Sequence, residues 1–154
     1  MTERSTAHHT LVIERTYDAP PARVFAAWAD KNAVARWYVP GDGTWQSEVK
    51  EHDFRVGGRH LMTFGPKGGD VYGEDCRFED IVENKRICYA MTVTTNAARI
   101  STSMVTVEFF ARGNRTEVKV TDQMAALDGG DTGEGRKAGW GDTLDKLVPE
   151  LARG

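Results

Sequence analysis

What most constrains this chain is a change of period. Between Trp45 and Val120 apolar and polar residues alternate, in segments broken by short turns; after that stretch, Ala138, Trp140, Leu144, Leu147, Val148 and Leu151 recur at three- and four-residue steps. A period of two belongs to strands and a period near 3.6 to helices. The alternating segments are Trp45 to Glu51, Arg59 to Phe64, Val71 to Val82, Ile87 to Thr95, Ser101 to Ala111, and the run through Thr116, Val118 and Val120. The breaks at Val56-Gly57-Gly58, Gly65 to Gly69, Glu83-Asn84-Lys85, Asn96 to Arg99 and Gly113-Asn114 are short and turn-forming. Successive hairpins with short turns predict an antiparallel sheet.

The flanks complete the order. Thr10 to Tyr17 is rich in Val, Ile, Thr and Tyr and predicts a first strand, preceded by a polar, patternless tail over residues 1–8. Asp18 and Pro20-Pro21 can start a helix carrying Val24, Phe25 and Trp28; a second short helix fits Lys31 to Tyr38, stopped by Pro40-Gly41. Asp131, three residues before Glu134, has capping-box spacing for the last helix. Gly135, Gly139 and Gly141 weaken that helix by about 1 kcal/mol each relative to Ala, so packing must hold it. The expected architecture is α+β: a curved antiparallel sheet of about seven strands with one long C-terminal helix covering its apolar face. A sheet bent more strongly than the helix is wide leaves a gap. Large inward candidates, Trp37, Tyr38, Met62, Phe64, Tyr72, Phe78, Tyr89, Met91 and Trp140, either fill it or line it.

Composition removes several classes of function. The 154 residues suit one domain, here expected over 9–154. The longest apolar run, Val24 to Ala29, falls far short of the ~20 residues that span a bilayer, and the opening residues offer no secretory signal, so no membrane association is expected. Twenty basic residues against 23 acidic ones, a net charge of −3, speak against a nucleic-acid partner. Two cysteines make no disulfide framework. With the turn centred on Asn84, Cys76 faces Thr92 and Cys88 faces Asp80, so the pair is not bridged; reduced thiols fit a cytoplasmic location.

The order Ala19-Pro20, Val24-Phe25-x-x-Trp28, Arg36-Trp37-Tyr38 and Asp53-x-Arg55-Val56-Gly57-Gly58 resembles the START-like helix-grip superfamily (SRPBCC). Gly73, Lys85-Arg86-Ile87, Thr116 and Gly139-Trp140 extend the likeness to roughly Thr10–Leu151. Within the superfamily the chain is similar to the single-domain branch named after the Aha-type activator of the heat-shock-chaperone ATPase. The resemblance implies a seven-stranded curved sheet gripping the last helix, with an elongated apolar cavity between them.

Polar groups near such a cavity would carry any chemistry. By strand parity His60, Glu74 and Asp122 point inward, where burial would shift their pKa values; a bulge or a place at the rim is the plainer alternative. His8, His9, His52 and His60 form no zinc-binding spacing, so no metal is expected. Gly129 to Gly135 lacks a phosphate-binding Gly-Lys-Ser/Thr and reads as a hinge before the helix; no Gly-x-Ser-x-Gly nucleophile occurs. No catalytic residue and no cofactor is assigned. The candidate ligand contacts are Trp37, Tyr38, His60, Met62, Phe64, Tyr72, Glu74, Phe78, Tyr89, Met91, Trp140 and Leu144, against the ordinary reading that such side chains are core. Three functions follow: binding of a small apolar molecule or lipid; a polyketide cyclase/dehydrase-like enzyme using His60 or Glu74 as a proton shuttle; or a chaperone-modulating interaction domain. A homodimer is left open.

Overall fold

A computed structural model describes residues 4–40 and 42–153. The order is β1 (Thr6–Tyr17), α1 (Pro21–Ala29), α2 (Lys31–Trp37), β2 (Trp45–His52), β3 (Arg59–Pro66), β4 (Tyr72–Val82), β5 (Arg86–Thr95), β6 (Ala98–Arg112), β7 (Arg115–Leu127) and α3 (Gly133–Leu151). All seven strands join one antiparallel sheet in the order β1-β7-β6-β5-β4-β3-β2. The hairpins from β2 to β7 are therefore sequential neighbours. Only β1 crosses over: it pairs with β7 at one edge, and α1 and α2 carry the chain to β2 at the other. Register shifts at Val49/Glu51, Phe78/Asp80 and Val93/Thr94 mark bulges. Bulges sharpen local twist and bend the sheet.

The concave face is the core. Ile87, Tyr89, Met91 and Val93 on β5, Val105, Val107 and Phe109 on β6, and Val118 and Val120 on β7 are all buried, every second residue as the pleat requires. Across from them α3 buries Trp140, Leu144 and Leu147. The Tyr17 hydroxyl donates to the Leu144 carbonyl at 2.7 Å, fastening α3 to β1. Phe25 and Trp28 of α1 meet Phe109 edge-on, at 5.5 and 5.4 Å between ring centroids. The Thr116 hydroxyl donates to the Ala19 carbonyl at 2.7 Å, setting the entry to α1. Among the described residues no helix is long and apolar enough to cross a membrane.

Three local expectations need correction. The strand begins at Thr6, inside the expected tail, because β7 runs on to Leu127 and offers Thr6 a ladder partner; Arg4 and the Ser5 amide are also bonded to Asp128. Residues 1–3, and the Gly41 of the expected helix stop, lie outside the described residues. Cys88 does face Asp80, but Cys76 faces Met91 and not Thr92, since the bulge at Glu79 inserts one residue between the two pairs. Finally, α3 is capped by Thr132, whose hydroxyl accepts from the Gly135 amide at 2.9 Å, while Asp131 turns to Arg136.

Candidate functional site

α3 lies against the β1 side of the concave face, and over β2 to β5 the sheet is left partly uncovered. There a solvent-open cleft of about 630 Å³ runs between the sheet and α3. Its wall is assembled strand by strand. Phe64 and Tyr72 are direct cross-strand partners on β3 and β4, with ring centroids 5.9 Å apart, and Trp45 at the start of β2 sits 6.3 Å from each. All three rings are half-buried, so each shows part of its surface to the cleft. Met91 and Val93 of β5 and Ile100 of β6 continue the apolar wall, and Trp140 of α3 faces them.

Glu74 stands two residues beyond Tyr72 on the same pleat face and is 8% exposed. The Tyr38 hydroxyl, just past the end of α2, donates to its Oε1 at 3.2 Å. Among the described residues this is the one hydrogen bond to the Glu74 carboxyl. Burial pushes its pKa up to about 7; the Tyr38 hydrogen bond and the charge of Arg136 oppose the rise, and Asp122 adds to it. Burial, then the Glu74 charge, hold the Tyr38 phenol well above its ordinary range.

Beside Glu74 the first turn of α3 sends Arg136 inward. Its guanidinium donates to Asp122 Oδ2 at 3.0 Å, to Asp131 Oδ2 at 2.6 Å and to the hydroxyls of Ser101 and Ser103. Burial works against this charge, but the two aspartates outweigh it and keep the group protonated. Trp140 Nε1 also donates to Asp122 Oδ2, at 3.0 Å, while the buried Oδ1 has no partner among the described residues.

His60, Glu74 and Asp122 are all inside, as strand parity predicts. Of the twelve sequence candidates, Tyr38, Phe64, Tyr72, Glu74, Met91 and Trp140 line the cleft. The other six lie elsewhere. Trp37 is core, its indole donating to the Ala27 carbonyl at 2.9 Å and its ring against Trp28. Met62 is fully buried in a satellite cluster with Val34 and Val39. Phe78, Tyr89 and Leu144 belong to the main core. His60 is taken up by His52, at 2.9 Å between the two Nδ1 atoms. His52 Nε2 lies 3.1 Å from the Trp28 and Ala29 carbonyls, to which it can only donate. Its Nδ1 must then accept, so the His60 Nδ1–H donates. Burial, then the neighbouring His52, lowers the His60 pKa to about 4. A His60–Glu74 proton-shuttling pair is thus not part of the cleft wall.

Sequence reasoning missed Trp45, Arg136 and the acids Asp70, Asp131 and Asp142 of the wall. The signal for Arg136 was its spacing, four residues before Trp140 and eight before Leu144, which puts it on the buried face of α3. Among the described residues no three His, Cys, Asp or Glu side chains converge as a metal site.

Comparison with known proteins bears on this geometry. The family model described as Activator of Hsp90 ATPase homolog 1-like protein matches residues 18–152. The chain is similar to an uncharacterised protein of Rhizobium leguminosarum of known structure, with 37% identity over 99% of this chain and 100% of that one and a TM-score of 0.89. A protein of Rhizobium loti shares 40% identity over 95% of this chain and 99% of its own, with a TM-score of 0.83. An AHSA1-like protein of Aeromonas hydrophila, 21% identical over 94% of this chain and 92% of its own, has the same fold with a TM-score of 0.72. No curated protein matches the sequence.

Proposed function

The chain belongs to the family of Activator of Hsp90 ATPase homolog 1-like proteins, and from that premise we propose that it binds a small apolar or amphipathic molecule in the cleft between its sheet and α3. One observation carries this reading: the rings of Trp45, Phe64 and Tyr72 pack together as one wall, stay only half-buried, and line an open space of about 630 Å³. That volume falls within the few hundred to 1,000 Å³ of small-molecule sites, and an apolar wall with a few convergent polar groups is their usual make-up. Apolar surface left facing water is unfavourable by roughly 25 cal/mol per Å², so an occupant that covers it is stabilised in proportion. The Tyr38–Glu74 pair supplies the polar end.

The test is mass spectrometry of an organic extract of the purified protein, paired with a tryptophan-fluorescence titration using octanol. A stoichiometric small molecule in the extract, or saturable quenching that disappears when Thr143 on the cleft face of α3 is replaced by Trp, supports the reading. An empty extract together with a flat titration overturns it.

A further inference from the structure

Resting on that reading of the cleft, we infer that its occupant is an organic cation, an amphipathic molecule whose ammonium group sits between the aromatic wall and the Glu74 carboxylate.

The charge of the wall points this way. Asp70, Glu74, Asp131 and Asp142 line the cleft against two cations, Arg136 and Lys146. Arg136 is already engaged by two carboxylates and two hydroxyls and has no spare charge to offer an anion. Lys146 lies one helical turn beyond Asp142, and Asp142 and Asp145 both act on its charge. An anionic head group would meet an excess of carboxylates, and a neutral one would leave Glu74, which has no cation bonded to it among the described residues, without an ionic partner. The Glu74 carboxyl is more than nine-tenths buried and accepts a single hydrogen bond, at Oε1, which leaves Oε2 for a ligand.

The rings supply the second, independent feature. Trp45 and Phe64 lie within 15° of parallel, Trp45 and Tyr72 within 21°, and Tyr38 stands edge-on to Phe64. An ammonium group over such faces is attracted by the ring quadrupoles, most strongly where water is excluded. A carboxylate and several aromatic rings lining one space suit a cation with an apolar body. The body would lie along Met91, Val93 and Ile100.

Glu74 must be ionised to hold the cation. The groups acting on it are Tyr38 after α2, Cys76 on its own strand, Tyr89 on β5, Asp122 on β7 and Arg136 on α3. Burial raises the carboxyl to about 7, so cation binding expels its proton. Affinity then rises roughly tenfold from pH 6 to pH 8.

The experiment is calorimetric titration of the full chain with octyltrimethylammonium, octanoate and octanol, each below its aggregation limit. We expect the cation to bind at least tenfold more tightly than octanoate at pH 8 and to weaken toward pH 6. We expect Glu74→Gln to cost it at least tenfold and to abolish its preference over octanoate. The pH series on the unmodified protein is a readout that needs no variant. If octanol binds and the cation binds no tighter than octanoate, or shows no pH dependence, the cation assignment fails while the cleft reading stands. If none of the three binds, both fail.

Discussion

His52 and His60 meet Nδ1 to Nδ1 at 2.9 Å, with their rings perpendicular and their centroids 5.0 Å apart. A single proton occupies that contact, and the far nitrogen of His52 anchors the α1–α2 junction through two carbonyls. A second proton there would turn His52 into a cation and set one N–H against another in a mostly buried place.

Acid should therefore loosen the fold through this pair. The unfolded chain takes up a proton at His60 near pH 6.5, while the folded chain resists until about pH 4. The pair's share of stability is whole above pH 6.5 and drains away as the pH falls to about 4, at up to roughly 1.4 kcal/mol per pH unit per proton. Urea unfolding across that window should show this slope, and His60→Gln should flatten it.

Glu74 runs the other way. Its carboxyl ionises near 4.5 in the unfolded chain and at about 7 in the fold, so stability is whole below pH 4.5 and is lost as the pH rises through 7. Glu74→Gln should be more stable than the natural chain at pH 8, by about 3 kcal/mol, with most of that difference gone at pH 4.5. Between pH 4.5 and 6.5 the Glu74 and His60 slopes oppose each other. Unfolding curves of the two single variants and of the double variant separate them.

Asp122 holds the buried end of α3 to β7. Asp122→Ala strands Arg136 beside Glu74 with one of its two carboxylates gone and should cost about 3–5 kcal/mol in chemical denaturation. Trp140→Phe removes a single donor from the same oxygen and should cost only about 1 kcal/mol on that account.

Two glycines should respond oppositely to alanine. A Cβ on Gly58 would stand 2.0 Å from the Asp53 carbonyl oxygen, a backbone atom that cannot step aside, so Gly58→Ala should break the β2–β3 connection and collapse the yield of folded protein. A Cβ on Gly139, inside α3, meets nothing within 4 Å; Gly139→Ala should raise thermal stability, by about 0.5–1 kcal/mol.

The fold was legible because its two periods are local. Alternation in β5 and β6 and the three- and four-residue steps of α3 are written in neighbouring residues, and both survive into the structure. The cleft was legible only in part, because a residue's parity says inward but not where along the curved face. Phe78 and Tyr72 share a face of β4, yet Tyr72 reaches the cleft while Phe78 packs on Phe54, which belongs to the irregular segment between β2 and β3. His60 has the right parity as well, and His52, the residue opposite it on β2, claims it. Arg136 follows a glycine-rich stretch that reads as a hinge; its helical spacing puts it on the buried face of α3, but only the structure sets Asp122, fourteen residues earlier, beneath it. The bulge at Glu79, which resets the partner of Cys76, leaves no mark in the sequence.

Glu150, in the last turn of α3, is 4% exposed and takes three contacts from Arg36 of α2, the shortest at 2.6 Å; its carbonyl accepts from Arg23 of α1 at 2.8 Å. Tyr38 follows Arg36 by two residues. The final helical turn is thus a keystone for the end of α2, and a displacement of the C-terminal end would be transmitted through Arg36 to the phenol that donates to Glu74. Bulky fusions placed there would disturb the Tyr38–Glu74 contact without touching any side chain of the cleft wall.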